Sequence, residues 1–260
     1  MQSTTGEGGA EQGAAVEAQV TGDRVNAAGV DAGWVLANGP MAAARLVSQG
    51  MLRVNGLVSA ATCARLQEHV DATLAGSDLV PPAEREGYFG AVYEERRRWD
   101  MFLRLGPEVL ALLKEAMRGL HRLLAEVVSE TGQLCELSAL VSDPGSARQP
   151  LHSDTKWQPA TKARVCTCFI ALQDVELDMG ATVMLPRTHN EEAHRRLSNV
   201  VDQAAREAEL GALTGDAATA GGLKLPVVHC TLRAGDAALM DSRLFRASEL
   251  LRCELRIPRR

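Results

Sequence analysis

The tripeptide His152-Ser153-Asp154 has the residue types of a metal site. On a strand, side-chain alternation directs His152 and Asp154 to the same face, about 7 Å apart along the backbone. An imidazole and a carboxylate placed in this way supply two ligands of the 2-His-1-carboxylate facial triad, which binds Fe(II) and leaves coordination positions open. The tripeptide is common by chance, and taken alone it is better explained by a His and an Asp on a surface loop after Pro150. The surrounding sequence therefore has to decide between these two interpretations.

The composition is that of a globular chain without a surface for nucleic acid. Its 260 residues are 46% hydrophobic, which suffices for a substantial core. Aromatic residues make up 3% and the net charge is −5, whereas nucleic-acid binding needs stacking rings or a basic face. No apolar run reaches the roughly eighteen residues of a membrane span, and no signal peptide is recognisable. We expect a cytoplasmic protein with neither nucleic-acid nor membrane partners, and the oligomeric state stays open.

The six cysteines are scattered through mostly apolar stretches, at Cys63, Cys135, Cys166, Cys168, Cys230 and Cys253. Cys166 and Cys168 alone are spaced like a ligand pair, but no second pair at zinc-site spacing accompanies them. We therefore predict reduced, buried core residues.

Helical signals dominate the first half of the chain. Residues 1–38 are mostly small, acidic or polar, which predicts a disordered tail. One domain, 39–260, is expected to follow, with a helical flank at 39–132 and a β core at 133–260. Pro40 and Gly50 bracket one predicted helix, Ser59 caps a second, and Pro107 opens a third that runs to about residue 130. The charged run 94–98, Glu-Glu-Arg-Arg-Arg, is interpreted as a solvated face, because its glutamates partly neutralise its arginines.

Short strands separated by turns follow Gly132. Strands are predicted at 134–141, around His152, and at 162–172, 181–185, 226–232, 237–240 and 253–257. The segment 162–172 is apolar on both faces, which predicts a central strand. Helices followed by many short strands indicate an α+β fold whose second half is an antiparallel sandwich or barrel, with a jelly roll as the natural candidate.

Four segments resemble the phytanoyl-CoA dioxygenase family in order and spacing. They are Gln149-Pro-Leu-His-Ser-Asp154, Cys168-Phe-Ile-Ala-Leu-Gln-Asp174, Asp178-Met-Gly-Ala-Thr-Val-Met-Leu-Pro-Arg-Thr-His189 and Ala234-Gly-Asp-Ala-Ala-Leu-Met-Asp-Ser-Arg-Leu-Phe245. The resemblance implies a double-stranded β-helix, a form of jelly roll, flanked by N-terminal helices and with its last strand truncated. It also implies Fe(II), 2-oxoglutarate as co-substrate, and hydroxylation of a small organic substrate by O2.

The resemblance also assigns site residues. His152 and Asp154 match the first two iron ligands of the family. Ser248 and Arg256 match the hydroxyl and the arginine that hold the distal carboxylate of 2-oxoglutarate, and Arg252 is a competing candidate for the arginine.

The third ligand of the family is a histidine at the position of Arg246. A guanidinium has no lone pair to donate and cannot ligate iron, so we predict weak iron binding. Three explanations stay open: a degraded site, a truncated or misread C-terminal sequence, or a rearranged site that His189 or His229 reaches.

Two functions compete at this point. The leading hypothesis is a non-haem Fe(II)- and 2-oxoglutarate-dependent dioxygenase acting on an unidentified small molecule. The alternative, motivated by Arg246, is a non-catalytic jelly-roll binding protein, and a cupin-like enzyme or isomerase is a minor third possibility. Substrate contacts are expected from the variable loops at 157–162 and 194–224.

Overall fold

The computed structural model describes residues 29–76, 98–146, 149–160, 163, 165–197, 217–220 and 223–248. Five α-helices lie in these ranges: α1 (Ala32–Ala37), α2 (Gly39–Gln49), α3 (Ala60–Ala75), α4 (Pro107–Val127) and α5 (Glu191–Leu197). The strands of the first half are β1 (Val30–Asp31), β2 (Met51–Asn55), β3 (Arg98–Phe102), β4 (Ser138–Ser142), β5 (Gln149–Ser153) and β6 (Cys166–Ile170). Those of the second half are β7 (Thr182–Met184), β8 (Ala217–Ala220), β9 (Leu223–Pro226), β10 (Val228–Cys230), β11 (Ala237–Asp241) and β12 (Phe245–Ser248).

The helices form one layer, and their ends follow local sequence signals. Pro40 lies in the first turn of α2, and Gly50 ends that helix with φ 76°, a left-handed conformation that glycine adopts without strain. The Ser59 side chain accepts a hydrogen bond at the start of α3. The apolar stripe of α4, which includes Val109, Leu120 and Leu123, is buried. The three predicted helices are thus confirmed.

A first sheet, in the order β1-β2-β11-β6, lies against this helical layer. β11 pairs with β2 and with β6, and all five of its residues are buried. Leu52, Val54, Ala237 and Leu239 pack with the helices in one core cluster. These four side chains pack one face of the first sheet against the helices, so its other face is left for a second sheet.

The second sheet has the order β10-β7-β12-β5 and faces the first across an interior cluster. This interior cluster consists of Met51, Ala171, Met184, Val228, Cys230, Leu232, Ala238, Met240 and Leu244. It draws side chains from both sheets, so the two sheets form a sandwich. The outer face of the second sheet is covered by α5 through Ala193 and Leu197. Helices followed by mainly antiparallel strands confirm the predicted α+β organisation.

Three predictions about chain organisation need correction. Folded structure begins before residue 39, because β1 and α1 precede it and Val35 is fully buried. The pattern of Met51 to Val54 predicts a short strand, which is β2, but β3, which forms a ribbon with β4, was not predicted within the helical flank. The predicted central strand at 162–172 is β6, which among the described residues pairs only with β11, so the central position belongs to β11. Residues 1–28 and the predicted strand at 253–257 lie outside the described residues.

The described part of the chain has no helix that is long and apolar enough to span a membrane. Its five described cysteines are free. Cys63 and Cys230 are buried as predicted, whereas Cys135 and Cys168 are exposed and Cys166 is half-buried. Burial raises the pKa of Cys230 and that of Cys166 to about 12, so neither thiol is a nucleophile at neutral pH.

Candidate active site

His152 lies on β5 with its ring held in one orientation. Its Nδ1 is 2.8 Å from the carbonyl oxygen of Pro150. Because a carbonyl only accepts hydrogen bonds, Nδ1 donates here, and Nε2 is the nitrogen left for another partner. Leu151 packs on the outer face of the sheet, so alternation directs His152 to the interior. A backbone carbonyl that orients the ring in this way is typical of histidines that ligate metals.

Asp154 follows immediately after β5, and its carboxylate meets the ring of His152. Nε2 of His152 lies 3.4 Å from Oδ1 of Asp154. Burial by itself raises the pKa of Asp154, but the adjacent imidazole and the Arg246 guanidinium outweigh burial, so this pKa lies below its usual value. A carboxylate kept in its charged form despite burial is stabilised by a positive charge beside it.

Arg246 supplies that charge. It lies on β12 directly opposite His152 in the antiparallel register. Its Nε and Nη2 are both 2.9 Å from Oδ1 of Asp154, and only 12% of its side chain is exposed. Its guanidinium carbon lies 5.1 Å from the centre of the Phe169 ring on the facing sheet, within the range of a cation–π contact. The guanidinium is thus held by a carboxylate and by an aromatic face.

Ser248, two positions further along β12, is buried beside a second arginine. Its Oγ accepts hydrogen bonds from Nη2 of Arg98 and from the amide of Gln149, each at 2.9 Å. Nη1 of Arg98 donates to Oγ of Ser142 at 3.0 Å. The interpretation of 94–98 as a solvated face is therefore wrong for Arg98, whose guanidinium is enclosed by β4 and β12. Arg256 and Arg252 lie outside the described residues, as do Arg96 and Arg97.

The sequence profile described as Phytanoyl-CoA dioxygenase (PhyH) matches residues 46–252, which is most of the chain. This chain belongs to the phytanoyl-CoA dioxygenase family. The match includes His152, Asp154, Arg246 and Ser248. No curated protein matches this chain in sequence.

Several solved structures share the fold of this chain. The non-heme alpha ketoglutarate dependent carbocyclase SnoK from nogalamycin biosynthesis is 19% identical, with a TM-score of 0.56 over 84% of this chain and 80% of SnoK. AviO1 from Streptomyces viridochromogenes Tue57 is 19% identical, with a TM-score of 0.52 over 83% of this chain and 89% of AviO1. HygX from Streptomyces hygroscopicus, solved with nickel, 2-oxoglutarate and hygromycin B bound, is 15% identical, with a TM-score of 0.50 over 81% of this chain and 80% of HygX. At these identities the likeness shows a shared fold.

The donor set of this family member does not complete a facial triad. Across the described residues, no group of three His, Cys, Asp or Glu side chains is placed to hold a metal ion. His152 and Asp154 converge as expected, but the third position holds a guanidinium that already bonds the carboxylate. A permanently charged group in that place repels a dication and occupies the lone pairs of the ligand. The described residues therefore supply two iron ligands, and a guanidinium lies where the resemblance predicts the third.

Neither alternative histidine joins the pair. Val228 and Cys230 belong to the interior cluster, so alternation along β10 turns His229 to the other face of the sheet. His189 is bonded to α2, with Nε2 2.8 Å from the carbonyl oxygen of Val47. The structure gives no support to a rearranged site built from His229 or His189.

The contact of Arg98 with Ser248 was not predicted from the sequence, because the two residues are distant along the chain. β3 and β12 are separated by about 150 residues, and their contact depends on tertiary packing rather than on a local motif. One local signal was available. Arg98 opens a segment in which Trp99 and Met101 alternate with polar residues, which is the pattern of a strand with one buried face.

Proposed function

We propose that this chain is a non-catalytic, small-molecule-binding member of the phytanoyl-CoA dioxygenase family, on a double-stranded β-helix fold, whose pocket binds 2-oxoglutarate or a similar dicarboxylate without iron. The hydrogen bond and ion pair of Arg246 with Asp154 are the single contact on which this proposal depends. With the carboxylate neutralised by a side chain, the pocket keeps its charge balance in the absence of a metal ion.

The anion-binding part of the proposed pocket consists of Arg98 and Ser248. A guanidinium and a hydroxyl that share a hydrogen bond on the interior side of β12 are suited to one end of a dicarboxylate, because guanidinium binds carboxylates bidentately. Arg246 places a second guanidinium on the same strand, two residues before Ser248. Arg256, outside the described residues, stays a predicted contributor. The pocket thus offers the Arg98 guanidinium to one carboxylate of such a ligand, while the Arg246 guanidinium stays paired with Asp154.

A second candidate is the catalytic function, the Fe(II)- and 2-oxoglutarate-dependent hydroxylation of a small organic substrate with O2. The orientation of His152 favours it, since Nδ1 is bonded to Pro150 and Nε2 points to Asp154 as in a metal-ligating pair. Family membership favours the same chemistry. Catalysis by this route requires Arg246 to leave Asp154, so that the carboxylate becomes free for the metal.

Calorimetric titration with 2-oxoglutarate distinguishes the two functions. Under the binding proposal, the affinity is the same in EDTA and in anaerobic Fe(II), and no succinate forms when O2 is admitted. Affinity that depends on Fe(II), or 2-oxoglutarate consumption above background, would support catalysis and overturn the proposal.

Two variants test the residues of the proposed pocket. Arg98→Gln and Ser248→Ala should each weaken 2-oxoglutarate binding, and Arg98→Gln should do so at least about tenfold, since it removes a charge-assisted bond. Arg118→Gln is the matched control, because Arg118 is exposed on α4. Equal losses in Arg98→Gln and Arg118→Gln would indicate a general effect of charge and contradict the placement of the ligand at Arg98.

A further inference from the structure

The ribbon of β3 and β4 has two unlike faces. Trp99, Met101, Ala139 and Val141 pack into the core beneath the helices. The opposite face carries Arg98, Asp100 and Phe102 from β3, and Ser138, Leu140 and Ser142 from β4. Arg98 reaches Ser248 from this second face, so the face continues outward from the proposed dicarboxylate pocket. We call it the ribbon face.

Asp100 is the unexplained residue of the ribbon face. Its Oδ1 is closed to solvent and has no hydrogen-bond partner, although the residue as a whole is only half-buried. Arg98, two positions earlier on the same face, directs its two described donors to Ser142 and Ser248 instead. A carboxylate oxygen that is desolvated without a donor is costly for the folded state. Its presence calls for a donor that is supplied from outside the described residues.

The residues around Asp100 indicate what kind of molecule would carry that hydrogen-bond donor. Leu140 lies opposite Asp100 in the register and is 58% exposed, and Phe102 follows on the same face at 39%. Beyond the paired residues, Leu105 and Leu134 are exposed as well. An unmet carboxylate bordered by exposed apolar side chains matches a ligand with a positive charge at one end of an apolar body.

We propose that the ribbon face binds the organic partner molecule of this site, and that this molecule carries a protonated amine, which pairs with Asp100, on an apolar body that covers Leu140 and Phe102. This inference deepens the proposed function, since it names the chemical class that lies beside the dicarboxylate. Asp100 is about 7 Å from Arg98 along the strand, so the two ligands would be neighbours. Because Oδ1 is closed to solvent, the amine would pair with the carboxylate through Oδ2.

The test uses octylamine, octanol and octanoate as probes of equal chain length, with binding to the full chain measured by calorimetry. We expect octylamine to bind best, octanol at least tenfold more weakly, and octanoate not at all. Asp100→Asn should weaken octylamine binding at least tenfold while leaving octanol binding unchanged. Glu130→Gln, which removes an exposed carboxylate beyond the end of α4, is the matched control and should change neither.

Two further readouts keep the outcome interpretable. Asp100→Asn should melt at the same or a higher temperature than the unaltered chain, because it removes an unpaired charge. It should also bind 2-oxoglutarate as the unaltered chain does. Octylamine binding that depends on Asp100 without any 2-oxoglutarate binding would sink the proposed function and leave this inference standing. Equal affinity for octylamine and octanol, or no effect of Asp100→Asn, would overturn the inference alone.

Discussion

Arg246 pairs with a single oxygen of Asp154, because its Nε donates a hydrogen bond to Oδ1 at 2.9 Å and its Nη2 lies 2.9 Å from the same atom as an ion-pair contact. The antiparallel register of β12 and β5 makes this contact possible, because it places Arg246 opposite His152. A guanidinium therefore meets the carboxylate at the position where the resemblance predicts the third ligand. The negative charge of Asp154 is balanced within the protein.

Replacing this arginine by histidine should create a metal site. Arg246→His removes the positive charge from Asp154 and adds an imidazole beside His152, so Fe(II) binding should tighten by at least about tenfold, or about 1.4 kcal/mol. Anaerobic calorimetric titration with Fe(II) measures the change. Arg246→Gln is the control, since it removes the charge without adding a metal ligand. If both variants gain the same affinity, the guanidinium acted only through its charge and the position is not that of a ligand.

A second ion pair, between Arg243 and Asp241, holds the loop around Gln158 that follows Asp154. Arg243 contacts both oxygens of Asp241, with Nε at 2.9 Å and Nη2 at 2.6 Å, and its Nη1 lies 3.2 Å from the carbonyl oxygen of Gln158. Both charged side chains are nearly buried, at 11% and 7% exposure. Removing one partner leaves the other as an uncompensated buried charge.

Arg243→Met should therefore lower the free energy of unfolding by about 3–5 kcal/mol, as measured by urea denaturation. The double variant Asp241→Asn/Arg243→Met should recover part of this loss. Asparagine is neutral and still accepts the hydrogen bond that the Arg243 amide donates to the side chain of residue 241. A double variant as unstable as the single one would show that packing of the arginine, rather than charge pairing, holds this loop.

The contrast between Asp154 and Arg98 shows what could be predicted from the sequence. The convergence of His152 and Asp154 follows from alternation on one strand, and the helix limits follow from local signals such as Pro40, Gly50 and Ser59. Arg98 was misinterpreted because its partner Ser248 lies on a distant strand. The central position of β11 was missed for a related reason. An apolar run shows that a segment is suited to burial, but it does not show which strands flank it.

Two glycines with positive φ should respond differently to substitution. Gly235, at φ 90°, lies in the turn before β11, and a Cβ added there would overlap the carbonyl oxygen of Val58. The amide of Val58 also donates to the carbonyl oxygen of Gly235 at 3.0 Å, so the two segments cannot separate without losing that bond. Gly56, at φ 64°, has open space where its Cβ would lie.

Gly235→Ala should cost about 3 kcal/mol or more, from backbone strain and from the overlap together. Gly56→Ala should cost about 1–2 kcal/mol, because only the left-handed backbone opposes it. Urea denaturation of both variants measures the difference. Similar losses at the two positions would mean that the turn at Gly235 moves away from Val58 at little cost.

His194 should make the stability of the fold depend on pH. Its Nε2 is 2.7 Å from the carbonyl oxygen of Arg243 and therefore donates, while its Nδ1 accepts from the amide of Trp157 at 3.2 Å. A proton added at Nδ1 would face that N–H group. Burial lowers the pKa of His194, and the hydrogen bond to Arg243 only partly opposes this effect.

Because the folded pKa is lowered, the unfolded chain takes up the proton first as the pH falls. The stability that His194 contributes is complete above the ordinary histidine value of about 6.5 and declines below it. Urea denaturation at pH 7.5 and pH 5.5 should show a loss of stability in the unaltered chain, to which His194 contributes. His194→Gln keeps a donor and an acceptor without a titrating ring, so its loss between these two pH values should be smaller. An equal loss in both proteins would place the pH sensitivity elsewhere, since the carboxylates common to both contribute equally to each.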